Sequence, residues 1–214
     1  MLRVTSKRLS ERSTSSPRRA ELLSIAADLF ATRGFLATTV REIADAAGIL
    51  SGSLYHHFDS KESMVDEVLR EFLDAQRQAY DAVLRDSDDA AAAITGLIRQ
   101  SFRAVHDYRA AVAVFQNEAN YLGQFERFDY LRQATADFER TWTRVLQDGQ
   151  RTGVFRPDLN VKLVYRFIRD TVWTVVQWYN PRGRFSATMI ADQYLEVLCD
   201  GLFAPEQRAR LRES

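Results

Sequence analysis

Apolar residues recur every three or four positions along most of the chain, which predicts helices rather than strands. The first helix is predicted to begin at Pro17 and to end at Gly34. A second begins at Thr39, where Glu42 completes a capping box, and ends at Gly48. The same signals predict further helices over residues 50–58, 60–85, 89–107, 109–121, 124–151, 160–179 and 187–203.

No stretch alternates apolar and polar residues, so the predicted fold class is all-α, with about nine helices. The turn Gly48-Ile49-Leu50 joins two short helices and has the length and the glycine of a helix-turn-helix. We therefore predict a basic flexible arm over residues 1–16, a helix-turn-helix domain over 17–60 and a larger helical domain over 61–214.

Charge is unevenly distributed in a chain whose formal net charge is zero. Residues 1–19 carry six basic side chains and one acidic side chain, a local charge of +5, which is typical of a nucleic-acid contact or of a solvated tail. The single cysteine, Cys199, excludes an intramolecular disulfide and a multi-cysteine metal site. Without a signal peptide or a long apolar run, the protein is expected to be cytoplasmic, with no membrane partner.

The stretch ILSGSLYHHF, residues 49–58, combines an apolar frame with three very small residues. Gly52 and Ser53 cost helix stability relative to alanine, so their use favours the close approach of another surface, such as a base edge. The alternative is an ordinary three-helix cap with no role in DNA binding.

Tyr55 and His56, which follow the small residues, can donate hydrogen bonds to phosphates. A metal site is disfavoured, because the adjacent side chains of His56 and His57 point about 100° apart on a helix and cannot readily share one ion. We predict no metal and no cofactor.

Residues 34–64, GFLATTVREIADAAGILSGSLYHHFDSKESM, resemble the DNA-binding signature of tetracycline-repressor-type (TetR family) regulators. The resemblance implies a homodimeric transcriptional regulator, a repressor on a palindromic operator, whose domain over residues 61–214 binds an effector and dimerises. It implies DNA contacts at Thr39, Arg41, Ser51, Gly52, Ser53, Tyr55, His56 and Lys61. The basic character of residues 1–19 adds Arg18 to this set.

The helix over residues 160–180 is apolar nearly all round, so it is expected to be buried on two sides. Arg166 and Asp170 lie four residues apart and can pair, whereas Arg169 has no such partner within the helix. A partly buried guanidinium needs a counter-charge, which is either a carboxylate such as Glu118 or Glu139, or an anionic effector.

Many aromatic residues accompany this arginine, which suits a bulky apolar effector with an acidic group. The candidate effector-binding residues are Phe115, Glu118, Tyr165, Arg169 and Trp173. The segments VYRFIRDT, WYNP and VFRPDL resemble the branch of the family that represses late steroid-ring degradation in actinobacteria, which implies a coenzyme A (CoA) thioester as effector. The apolar stripes alone fit a monomeric core equally well, and the resemblance favours a dimer.

Two other classes of function are alternatives to a regulator. A helical-bundle enzyme is disfavoured because the sequence has no paired carboxylates with a supporting histidine, no nucleophile elbow and no phosphate loop. A module that binds protein instead of DNA is the remaining alternative, and salt-dependent operator binding would distinguish it.

Overall fold

The computed structural model describes residues 16–200 of the chain. The predicted basic arm, apart from Ser16, lies outside this range. Residues 16–200 contain no strand, and the all-α prediction is confirmed. Their nine α-helices are α1 (Pro17–Arg33), α2 (Val40–Ala46), α3 (Ser51–Leu54), α4 (Lys61–Arg85), α5 (Ala90–Asp107), α6 (Arg109–Leu122), α7 (Tyr130–Arg151), α8 (Val161–Thr174) and α9 (Ala187–Asp200). None of the helices in this range is long and apolar enough to cross a membrane.

The first two helices begin and end where local signals predict. The Ser16 hydroxyl caps α1, Pro17 takes its first position, and Gly34 ends it with a φ of 88°. At α2 the capping box is complete, because the Thr39 side chain accepts from the Glu42 backbone N–H while the Glu42 carboxylate accepts from the Thr39 backbone N–H.

Three predicted helices are shorter than the sequence pattern suggested. α3 ends at Leu54, because the chain then turns to bury Phe58, which is 4% exposed. A 3₁₀ turn over Glu126–Phe128 precedes α7. After α8 the chain tightens into a second 3₁₀ turn over Val175–Gln177, as is common at helix ends.

The described chain packs as two compact units. The first comprises residues up to Ala75 together with Ala110–Ala134, and the second comprises Gln76–Arg109 and the residues from Thr135 onward. The first has a core of Leu22, Ala26, Phe30, Ile43, Leu54 and Met64, all at most 2% exposed. In the second, α5 packs against α8 and α9 around Leu97, Ile98, Phe102 and Ile168. This division falls within α4, and the domain boundary at residue 60 stays a prediction.

Candidate DNA-binding surface and effector region

The face of α3 that carries the small residues points to solvent. Leu54, 2% exposed, anchors the helix from behind, while Gly52, His56 and Tyr55 are exposed, Tyr55 to 55%. A Cβ atom added at Gly52 would meet no atom of residues 16–200 within 4 Å. Packing within this unit therefore does not require a glycine at position 52. The missing side chain leaves room for a surface outside the chain.

Arg41 on α2 and Thr39 at its N-cap, both predicted to contact DNA, differ in how many contacts their side chains already make within the protein. The Arg41 side chain is 85% exposed, and its Nε lies 3.8 Å from the Asp45 carboxylate, a loose pair that leaves the guanidinium available to a phosphate. The Thr39 hydroxyl is committed to the helix cap, since it accepts from the Glu42 backbone N–H at 3.2 Å and donates to the Glu42 carboxylate at 2.9 Å. Hydrogen bonds from the Thr39 backbone and side chain lower the pKa of Glu42, and Arg33 lowers it further.

Basic residues at the start of α1 hold the helix-turn-helix together. Arg18 donates to the backbone oxygen of Ala47 at 2.9 Å and pairs with Glu21 at 2.7 Å. Arg19 pairs with Glu67 and lies 4.4 Å from the centre of the Phe58 ring. Sequence reasoning attributed this basic character to DNA contact and did not predict the structural role of Arg19.

Lys61 points toward the loop between α1 and α2. Its Nζ donates to the backbone oxygens of Phe35 and Thr38, both at 2.8 Å, and lies 4.3 Å from the centre of the Phe35 ring. Two of its three N–H groups are thus engaged within the unit. Its predicted contact with DNA stays a prediction, and the geometry favours a role as a brace for this loop.

Glu118, on α6, binds the same loop from another side. Its Oε1 accepts the backbone N–H of Phe35 at 3.1 Å, and a Cβ atom added at Gly34 would lie 3.2 Å from this oxygen. Phe115, one turn earlier, packs its ring against Phe72 with 6.1 Å between ring centres. The predicted effector roles of Phe115 and Glu118 stay predictions. No local sequence signal links Glu118 to residue 35, because 83 positions separate them.

The predicted ion pairs of α8 are wrong in one respect. Asp170 pairs with Arg169 rather than with Arg166, and the Arg169 Nε donates to it at 2.7 Å. Adjacent helical side chains diverge, but a long guanidinium can fold back to a short neighbouring carboxylate. Arg169 also lies 5.7 Å from the centre of the Tyr165 ring. Burial raises the pKa of Tyr165 to about 12.

A basic cavity of about 320 Å³ opens in the second unit. Its lining includes Arg99, Arg103, His106 and Arg184, together with Ser186 and the first turn of α9. Asp192 pairs with Arg99 at 2.9 Å, and the Tyr179 hydroxyl lies 2.6 Å from Nδ1 of His106. Sequence reasoning missed this cluster, because its basic residues are spread between positions 99 and 184.

Apolar side chains cover the outer faces of α8 and α9. The prediction that α8 is buried on two sides does not hold within one chain, since Phe167 is 68% exposed and Leu163 49%. Tyr165, Ile168 and Val172 form the inner face. Exposed apolar residues continue at Trp178, Met189, Val197 and Leu198. Among the described residues, no group of three His, Cys, Asp or Glu side chains could hold a metal ion.

Comparison with known proteins covers both parts of the chain. Residues 22–68 match the family "Bacterial regulatory proteins, tetR family", and residues 87–202 match "Tetracyclin repressor-like, C-terminal domain". The HTH-type transcriptional repressor KstR2 of Rhodococcus jostii is 50% identical over 90% of this chain and 95% of its own length. KstR2 of Mycolicibacterium smegmatis is 48% identical over 89% of this chain and 93% of its own length. The structure of the ketosteroid transcriptional regulator KstR2 of Mycobacterium tuberculosis superposes with a TM-score of 0.85 at 47% identity, covering 89% of this chain and 97% of that one.

Proposed function

The chain belongs to the TetR family of bacterial regulators, and from that premise we propose that it is a homodimeric repressor released from a palindromic operator by a steroid-derived effector. It is a ligand-responsive DNA-binding regulator rather than an enzyme, as the resemblance of residues 34–64 to TetR-family regulators predicts. The operator geometry, the effector and the residues that meet them make up the proposal.

One observation carries the assignment of the DNA-binding face. Gly52 lies exposed on α3, and within the described part of the chain no atom occupies the space of its missing side chain. A glycine is unfavourable inside a helix, so a methyl group at this position would be expected unless a partner comes close. Tyr55, three residues further along, and Arg41 on α2 are exposed and offer donors that suit phosphates.

The proposed effector is a bulky apolar molecule joined to CoA. Tyr165, Arg169 and Trp173 recur every fourth position of α8 and so share one helix face, on which the Tyr165 ring lies beside the Arg169 guanidinium. The ketosteroid regulator named among the relatives favours a steroid-ring fragment as the apolar part. The basic cavity supplies a separate cluster of arginines that suits phosphate groups.

Dimerisation is proposed through the outer faces of α8 and α9. Phe167 and Trp178 expose 68% and 58% of their surface, and large apolar side chains of this kind, when contiguous, mark a protein interface. A two-fold dimer presents two copies of α3, which would enter successive major grooves on one side of the DNA. The dimer would exist in two conformational states that differ in the separation of the two α3 helices. The effector would shift the equilibrium toward one state, to an extent set by the difference between its affinities for the two states.

A size series at Gly52 tests the DNA-binding face. The second helical position of α3 is Gly52, and Ala91 takes the same exposed position in α5, so Ala91→Leu is a matched control. We expect Gly52→Ala and Gly52→Leu to weaken operator binding progressively, by about tenfold or more for leucine, which corresponds to roughly 1.4 kcal/mol. Fluorescence anisotropy with the DNA upstream of the protein's own gene measures the affinity at fixed salt.

The fold should tolerate these changes. Because the space at Gly52 is open and alanine favours helices, neither variant should lower the unfolding midpoint. Wild-type operator affinity in Gly52→Leu would refute the proposed face, and equal weakening in Ala91→Leu would show that the effect is not local.

A further inference from the structure

A buried polar cluster lies in the second unit, on α4 and α5. Gln76 and Tyr80 of α4 are each 2% exposed, and Ser101 of α5 is fully buried. The rings of Phe138 and Trp142 contact Tyr80 edge-on, with centres 5.5 Å and 5.9 Å away. The cluster is therefore enclosed by aromatic side chains.

The hydroxyl groups of the cluster satisfy one another. The Ser101 hydroxyl donates to the backbone oxygen of Leu97 at 2.8 Å, which uses its single hydrogen. The Tyr80 hydroxyl, 2.5 Å from the Ser101 oxygen, must therefore be the donor of that hydrogen bond. Burial raises the pKa of Tyr80, so the phenol stays protonated and keeps this role.

The amide of Gln76 is the exception in this cluster. By distance and angle its buried Nε2 has no hydrogen-bond partner among residues 16–200, although the side chain lies close to the Tyr80 hydroxyl. Buried donors in folded proteins are nearly always paired, because leaving one unpaired sacrifices its hydration without replacement. A methionine of similar shape would fill this position without that penalty, so the amide needs an explanation.

The cluster adjoins the proposed effector residues of α8. Tyr165 lies within electrostatic range of both Tyr80 and Glu139, and its ring lies beside the Arg169 guanidinium. Around the Gln76 amide itself, Tyr80 and Ser101 carry no charge and the rings that enclose them are apolar, so an anion there would lack a counter-charge. An uncharged acceptor oxygen is therefore the group that this environment can take.

We propose that the Gln76 amide donates a hydrogen bond to a neutral carbonyl oxygen on the ring portion of the effector. This inference rests on the proposed function and deepens it, because it makes Gln76 a specificity-determining residue. The apolar fragment would be selected for carrying an oxygen at one place on its ring. A site built to pair a buried donor discriminates strongly against an analogue that lacks the acceptor.

The test uses two CoA thioesters of one saturated bicyclic carboxylic acid, which differ in whether a ring carbon is a ketone or a methylene. Isothermal titration calorimetry measures both with the wild type, with Gln76→Met and with Gln78→Met, an exposed glutamine on the same helix. We expect the wild type and Gln78→Met to prefer the ketone by at least about tenfold. Gln76→Met should bind both thioesters equally while keeping wild-type operator affinity.

Each other outcome has a defined meaning. If the wild type binds both thioesters equally, or if Gln76→Met keeps the preference, the assignment of Gln76 is overturned while the proposed function stands. If the wild type binds neither, the proposed effector class is rejected, and this assignment with it. Should Gln76→Met fail to fold, a crystal structure of the wild type with the ketone decides, since a water in place of the ring oxygen at Nε2 would overturn the proposal.

Discussion

Replacing Lys61 with methionine separates two roles for this residue, a brace within the protein and a contact with DNA. Methionine keeps an unbranched apolar side chain but removes the ammonium that bonds the Phe35 and Thr38 backbone oxygens. The structure predicts that Lys61→Met loosens the loop between α1 and α2. A lysine whose main role is to bind phosphate would instead leave the loop unchanged.

The contacts of the Lys61 ammonium set how much free energy of unfolding the Lys61→Met change removes. A hydrogen bond to a charged group contributes roughly 1.5–3 kcal/mol, and the ammonium makes two at 2.8 Å. Its position over the Phe35 ring adds about 0.5–1 kcal/mol. Because Lys61 is half-buried and water can replace part of these contacts, we expect a net loss of about 1–3 kcal/mol for the first unit.

The assay must report on the first unit. Tryptophan fluorescence is unsuitable, because Trp142, Trp173 and Trp178 all belong to the second unit. Urea unfolding followed by circular dichroism, with hydrogen exchange over residues 34–39, reports on the loop directly. The slope of log affinity for operator DNA against log salt should stay at its wild-type value, since each phosphate contact contributes about 0.9 to it.

Arg41→Met is the matched control, because its guanidinium is 85% exposed and braces no loop. We expect it to lower the salt slope by about 1 per site without changing stability. The reasoning is refuted if Lys61→Met reduces the salt slope in the same way and leaves both urea unfolding and hydrogen exchange unchanged.

Three further predictions concern acid stability, dimerisation and effector response. Because the pKa of Glu42 is lower in the folded protein than in the unfolded chain, its stabilising effect is complete above the unfolded pKa and is lost as the pH falls through the lowered, folded pKa. Glu42→Gln should remove this part of the pH dependence, and an acid unfolding curve identical to that of the wild type would contradict this expectation. Phe167→Asp should convert the dimer to a monomer, as measured by light scattering, whereas Val154→Asp, at another exposed apolar residue, should leave the dimer intact. A Phe167→Asp dimer as stable as that of the wild type would argue against this interface. Arg169→Ala should raise the thioester concentration needed to release operator DNA by about tenfold, which corresponds to roughly 1.4 kcal/mol, without altering the affinity for DNA. An equal effect of Asp170→Ala would show that the ion pair between the two residues, and not contact with the ligand, is responsible.

Features set by neighbouring residues were predictable from the sequence. Pro17 and Gly34 mark the ends of α1, and the capping box of Thr39 and Glu42 starts α2, because each signal acts within one helical turn. The helix-turn-helix follows from the length of these segments and from the glycine between them. The family resemblance, now confirmed, covers the same stretch.

Features set by distant residues were not predictable from local patterns. The bond between Glu118 and the Phe35 backbone joins positions far apart in the chain, so the sequence offered Glu118 instead as a partner for Arg169. The hydrogen bonds from Lys61 to the loop were not predicted for the same reason. A lysine next to a DNA-binding motif looks the same in the sequence whether it braces a loop or contacts DNA. The unpaired amide of Gln76 becomes visible once the helices around it are placed.

Sequence-specific regulation is tested most directly by equilibrium binding of the full chain to the DNA upstream of its own gene and to a scrambled fragment, across a salt series, with and without the ketone-bearing thioester. We expect the upstream fragment to bind at least about a thousandfold more tightly than the scrambled one, with a salt-dependent affinity. The thioester should release the protein from the upstream fragment, whereas free CoA should not. Equal affinity for the two fragments would contradict the assignment of this chain as a sequence-specific regulator.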